Sequence, residues 1–192
     1  MTIFWVIVCA SFFGLYLFYQ ENKKIENIFR RLAEKKGGTV TCGFISYPQW
    51  SFQHNNIEFF VSALNGDRGP FTYIQFYDDN FNKDHTYRVE GKNVATKLLH
   101  LRRKINLTKD FDCCFHLYSE NDLFALRLFN KTLQQKLINM SEKHQLEIDC
   151  SQKKRFLFLL SIHNILTKEE DFEELINTAI FINERMLMSL NS

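Results

Sequence analysis

The chain has 192 residues, 45% of them hydrophobic, with 20 phenylalanines and only two prolines, a composition that excludes a disordered tail and points to one packed domain. Its formal net charge of +2 is too small to imply nucleic acid as a partner. Mean hydropathy stays negative at -0.25 although the chain opens on a strongly apolar stretch, so the remainder is soluble in character.

That opening stretch, Ile3–Tyr19 (IFWVIVCASFFGLYLFY), carries no charge. A helix of this length reaches about 26 Å at about 1.5 Å per residue, close to the ~30 Å hydrocarbon layer of a bilayer. The pattern predicts a single transmembrane anchor over residues 1–20. Lys23, Lys24, Arg30, Arg31, Lys35 and Lys36 follow it, while the N-terminal side offers only the α-amino group. Positive flanks stay in the cytoplasm, which predicts the N-terminus outside and the C-terminal domain inside, as in a bacterial inner membrane. A cleaved signal peptide is the alternative, but it lacks a basic n-region and a small-x-small site.

From Gln20 to Lys36, Ile25, Ile28, Phe29 and Leu32 recur at helical spacing, and Gly37-Gly38 ends the run. Residues 21–38 are thus expected as a basic juxtamembrane helix, its cations either against anionic head groups or simply solvated. Residues 39–192 are expected as one domain. Thr39–Ser46 reads as a strand broken by Pro48. Trp50–His54 and Ile57–Leu64 flank Asn55-Asn56, a hairpin turn because asparagine tolerates positive φ. Asn65–Pro70 reads as a loop, Phe71–Tyr77 as an aromatic strand and His85–Glu90 as a short alternating strand, the whole an antiparallel meander. Gly91–Asn106 fits strand and helix equally.

Phe111–Ser119 (FDCCFHLYS) reads as a central strand with Phe111, Cys113, Phe115 and Leu117 on one face. Ser119 and Asp122 have capping-box spacing, and one amphipathic helix is expected from there to about Lys143. Gln145–Asp149 and Phe156–Ile162 form a last hairpin. Thr167 then caps a final helix whose stripe is Phe172, Leu175, Ile176, Ala179, Ile180 and Leu187. The predicted class is α+β: an N-terminal transmembrane helix, then an antiparallel sheet packed by two long amphipathic helices.

The run Phe111, Asp112, Phe115, Ser119 and Asp122 resembles an F-D-x-x-F-x-x-x-S-x-x-D pattern of uncharacterised bacterial membrane-anchored α+β proteins. In these a strand leads into a long amphipathic helix after one or two transmembrane segments. Lys36-Gly37-Gly38 resembles their glycine-rich approach to the first strand, and Tyr118 departs from the pattern. The resemblance covers about half of the chain. It implies the α+β architecture and the anchor, and it implies no activity.

Asp112, His116 and Asp122, with Asp110 and Glu120 nearby, are the candidates for acid–base chemistry, set against capping and a wet sheet face. Cys9, Cys42, Cys113, Cys114 and Cys150 are odd in number and contain no C-x-x-C, so they read as small hydrophobes in a reducing compartment. Alternation sends Cys113 and Cys114 to opposite faces, so no metal is predicted, and no cofactor motif is present. Three roles remain in view. The first is a membrane-tethered, non-enzymatic binding or scaffold domain with a protein partner. The second is a membrane-surface enzyme using Asp112, His116 and Asp122. The third is an anionic-lipid-binding module using Lys23–Lys36.

Overall fold

The computed structural model describes residues 2–43, 46–66, 69–92, 103–152 and 155–190, with side chains described from residue 5 onward except that of residue 103. It opens with helix α1, Thr2–Lys36, a single 35-residue element about 52 Å long. The helix does not pause at residue 20, so the expected anchor and juxtamembrane pieces are one rod. It ends where the sequence expects: Gly37 and Gly38 take φ of 78° and 101°, and Gly37 N–H donates to Ala33 O at 2.8 Å.

The two halves of α1 live in different surroundings. Trp5, Val6, Ile7, Phe12, Phe13, Leu15, Tyr16, Leu17 and Tyr19 are all more than half exposed, whereas Ile25, Ile28, Phe29 and Leu32 are buried. Burial stabilises each of the latter by about 1.5–3 kcal/mol, so residues 25–32 belong to the domain core. Among the described residues, no helix is long and apolar enough to cross a membrane. The apolar run starts at Ile3, and the side chains of residues 3 and 4 lie outside the described ones.

Nine strands form one antiparallel sheet: β1 Thr39–Thr41, β2 Gln49–His54, β3 Ile57–Gly66, β4 Gly69–Tyr77, β5 Tyr87–Gly91, β6 Arg103–Ile105, β7 Phe115–Ser119, β8 Leu146–Gln152 and β9 Phe156–Ile162. Their order is β1-β2-β3-β4-β9-β8-β5-β7-β6. The meander β1–β4 is therefore followed in space by the late hairpin β9-β8, which separates β4 from β5. One unbroken row of apolar side chains runs from the partly buried Val40 of the edge strand β1 across the other eight strands: Trp50, Val61, Ile74, Leu160, Ile148, Val89, Leu117 and Ile105. All eight are buried.

Every described helix packs on that face. Phe29 of α1 meets Trp50 and Phe172, the latter edge-on at 5.0 Å. Phe172 begins the buried stripe of α5, Glu169–Leu190, which also buries Leu175, Ile176, Ala179, Ile182 and Met186. Between them lie α2 Lys109–Cys114, α3 Asp122–Leu128 and α4 Lys131–Ser141. Phe124 and Phe129 close on the buried Tyr87 ring at 6.3 and 5.3 Å.

Four expectations need correction. The strand expected over Phe111–Ser119 is helical to Cys114: Asp112 accepts from Leu107 N–H with both carboxylate oxygens, each at 3.1 Å. Phe111 and Phe115, whose rings are 5.0 Å apart, stand four residues apart, a spacing that serves a helical turn as well as strand alternation. The cap of α3 is Asn121, which accepts from Phe124 N–H at 3.1 Å, while Ser119 accepts from Asn121 N–H and donates to Thr86 O. The helix expected to run to Lys143 is two helices, because Asn130 caps α4 by accepting from Leu133 N–H and Gln134 donates to Phe129 O. The sheet is thus covered by α1, α5 and three short helices, not by two long ones.

Smaller differences follow local chemistry. The first strand stops at Thr41. Asn55 and Asn56 make the expected hairpin with φ of 50° and 63°. The Asn65–Pro70 loop contracts, with Gly66 paired to Gly69 and residues 67–68 outside the described ones. Of the ambiguous Gly91–Asn106, Arg103–Ile105 is strand and residues 93–102 lie outside the described residues.

Candidate functional site

The sheet face opposite the helices bears the other half of each alternating strand. Across it run two neighbouring rows: His116, Glu90, Glu147, Ser161, Tyr73 and Ser62, then Lys104, Tyr118, Arg88, Asp149, Leu159, Gln75 and Phe60. Among the described residues no helix covers it. One half is aromatic and apolar, the other charged.

The charged half is organised by Arg88. Its Nε lies 2.6 Å from Glu90 Oε1, and its Nη2 reaches Glu147 Oε1 across the β5–β8 pairing. A planar guanidinium suits this double engagement because its donors form a fixed fork. Glu90 is fully buried, a position a carboxylate holds only when paired. Glu147 turns its second oxygen toward His163 Nε2 at 3.5 Å. Burial, then the Glu90 charge, raises the Tyr118 phenol above its ordinary pKa, so it remains a neutral donor on this face.

Beside the network lies a cavity of about 310 Å³ lined by Gly66, Phe71, Glu147, Asp149, Leu159, Ser161 and His163. Ser161, His163 and Glu147 are residue types that perform acyl transfer when aligned. Here Ser161 directs its hydroxyl to the Glu147 main-chain oxygen at 3.5 Å, which is not the alignment of a nucleophile with its base. Among the described residues no group of three or more His, Cys, Asp or Glu is placed to hold a metal ion. What the arrangement offers is a rigid, mixed aromatic and charged surface with a shallow pocket.

The structure distributes the sequence-derived residues over several elements. Asp112 is in α2 and holds Leu107 N–H; His116 is on β7, on the uncovered face opposite Glu90; Asp122 is in the first turn of α3. Only His116 joins the network's neighbourhood. Of the six basic residues, Arg31 and Lys35 meet Glu169 at 2.7 and 2.6 Å, Lys35 also meets Glu173, and Lys36 donates to Asn177. Arg30 and Lys23 share Glu26 at 2.7 and 3.4 Å, and Lys24 lies between the apolar and buried halves of α1. The sequence reading passed over Arg88, Glu90, Glu147 and His163. Their signal was outward charge on two short alternating strands; what no local pattern gives is that β8 lies against β5.

No protein-family model matches the chain, and none of the curated proteins compared with it is significantly similar.

Proposed function

We propose that the protein is a single-pass membrane protein whose α+β domain lies on the cytoplasmic side and binds a protein partner on the uncovered face of its sheet. The observation that carries this reading is the division of α1. An exposed helix that is apolar on every side needs an apolar solvent, and this one continues unbroken into a buried segment that fixes the domain to it. The basic residues after Tyr19 support the orientation. The uncovered face supports the partner role, since Phe60 and Tyr73 on its apolar half and Tyr118 beside Arg88 on its charged half are of the residue types enriched at interfaces. The F-D-x-x-F resemblance fits this reading and contributes no reaction to it.

Photo-crosslinking in intact membranes tests it. A photoreactive residue at Phe60 or Tyr118 is expected to give one discrete protein adduct, and the same residue at Gln135 on the helical side none. Adducts of equal pattern from both faces, or recovery of the full chain from cells without any membrane fraction, would sink the proposal.

A further inference from the structure

Helix α2 ends on a pair of adjacent thiols. Cys113 and Cys114 occupy its last turn, and Phe115, the C-cap, returns to extended backbone and opens β7. In a strand the two side chains would point to opposite faces. At a helix end they stand only about 100° apart, and here both line one cavity of about 340 Å³. Gly91 and Lys92 at the end of β5, Ser141 of α4, His144 and Leu146 form other parts of its wall. Cys113 is exposed and Cys114 half-buried.

The other cysteines are differently placed. Cys9, Cys42 and Cys150 have no thiol beside them in sequence, and Cys150 is fully buried. Burial, then the Glu26 charge, raises the Cys42 thiol above its ordinary pKa, so this exposed thiol holds less of the thiolate that attacks disulfides. A solvent-reachable cysteine with a second thiol next to it is the arrangement of redox-responsive sites. The first sulfur forms a mixed disulfide and the second displaces it.

We propose that Cys113 and Cys114 are a reversible modification site for small disulfides of the glutathione-disulfide class. The Cys113 thiolate attacks one sulfur of the small disulfide and its S–S bond breaks. The leaving thiolate takes up the proton that Cys113 gave up, which yields a mixed disulfide on Cys113 and one small thiol. The Cys114 thiol then displaces the second small thiol, closing a Cys113–Cys114 disulfide; the pair is oxidised and the small disulfide reduced to two thiols. Adjacent Cα atoms lie about 3.8 Å apart across a trans peptide, below the roughly 4.4–6.8 Å that disulfides prefer. The closed ring is therefore strained and readily reduced again. Its strain falls on a joint, because Cys114 O accepts from Lys92 N–H at 2.9 Å and Phe115 N–H donates to Phe111 O. The site depends on neither the anchor nor the partner surface.

Peptide mapping of the purified full-length protein after exposure to oxidised glutathione tests it. The expected product is the loss of two hydrogens across Cys113 and Cys114, formed roughly tenfold faster than any adduct at Cys42 and reversed by dithiothreitol. Cys114→Ser should instead accumulate a glutathionyl group on Cys113, and Cys113→Ser should lose the fast reaction. An adduct at Cys42 that forms as fast as the product at the pair overturns the inference, as does a glutathionyl group that stays on Cys113 of the unaltered protein. Both of these outcomes are read on the unaltered chain, so a variant that fails to fold leaves the decision intact.

Discussion

The indole N–H of Trp50 donates to the carbonyl of Gly37 at 3.1 Å, so the C-terminal end of α1 is tied to β2, the second strand of the sheet. The tie needs close approach. A Cβ on Gly38 would lie 2.0 Å from Ser51 O and 2.8 Å from Trp50 Nε1, whereas one on Gly37 would meet nothing within 4 Å. Both residues have positive φ. Gly37→Ala should therefore cost only the backbone term, about 1 kcal/mol. Gly38→Ala adds a collision with main chain and should cost about 3 kcal/mol or more. Chemical denaturation of the two purified variants checks this, and equal losses would mean that the helix end is not held against β2.

The Arg88 network makes an asymmetric prediction. Removing the cation alone leaves Glu90 buried beside Glu147, the costly half of breaking a buried pair, at about 3–5 kcal/mol. Arg88→Met should thus destabilise strongly, and Arg88→Met/Glu90→Gln should recover a good part of the loss. By contrast the Arg155–Asp79 pair, with side chains 58% and 70% exposed, should be nearly silent when Arg155 becomes Gln. Melting curves of the three variants discriminate: a silent Arg88→Met would show that water reaches Glu90 freely.

His85 gives a pH dependence of known sign. It packs edge-on against Phe81 and Phe124, at 5.5 and 4.9 Å, and accepts from Asn82 N–H through Nδ1. Burial lowers its pKa below the ordinary 6.5, against the pull of Asp84. The folded protein then binds fewer protons than the unfolded chain just below pH 6.5, so stability is lost as pH falls through that region. Glu169 acts lower: the Lys35 and Arg31 hydrogen bonds depress its pKa, and its contribution is lost only as pH falls below the ordinary 4.5. Melting temperature should accordingly drop in two steps on acidification. His85→Gln should remove the first step and keep the second; a first step that survives the substitution assigns it to another group.

Which of these features a reader of the sequence sees follows from the range of the interactions. Local chemistry was plain: the glycine stop of α1, the Asn55-Asn56 turn and the first half of the α5 stripe each depend on neighbours within a few residues, whereas the second half of that stripe buries Ile182 and Met186 and leaves the expected Ile180 and Leu187 only partly buried. The alternation of Trp50–His54 and Phe156–Ile162 showed which side chains share a face. It did not show that β9 and β8 lie between β4 and β5, and so the Arg88–Glu147 contact, made across 59 residues, was invisible. The stretch Phe111–Ser119 failed differently. Its apolar spacing satisfies two periods at once, and the contact from Asp112 back to Leu107 N–H, just before the α2 N-cap Thr108, is a side-chain to main-chain bond that periodicity does not encode. The break at Asn130 is of the same kind, since an asparagine inside an amphipathic stripe is read as part of the stripe until it caps.

Asp112 separates a structural role from a chemical one. Both of its oxygens accept from Leu107 N–H, so Asp112→Ala should lose one charge-assisted hydrogen bond and cost about 1.5–3 kcal/mol. Asp112→Asn keeps a carbonyl oxygen at the same place and should retain the smaller part, about 1 kcal/mol, of that contribution. A general base has the opposite profile: the amide is as inert as alanine, while folding is untouched by either change. Thermal unfolding and a cellular phenotype measured side by side therefore decide the matter. If stability and phenotype fall together, and asparagine lies between alanine and the unaltered protein in both, Asp112 holds α2 in place. If asparagine folds like the unaltered protein and yet loses the phenotype as completely as alanine does, the enzyme reading that groups Asp112 with His116 and Asp122 takes precedence over the binding one.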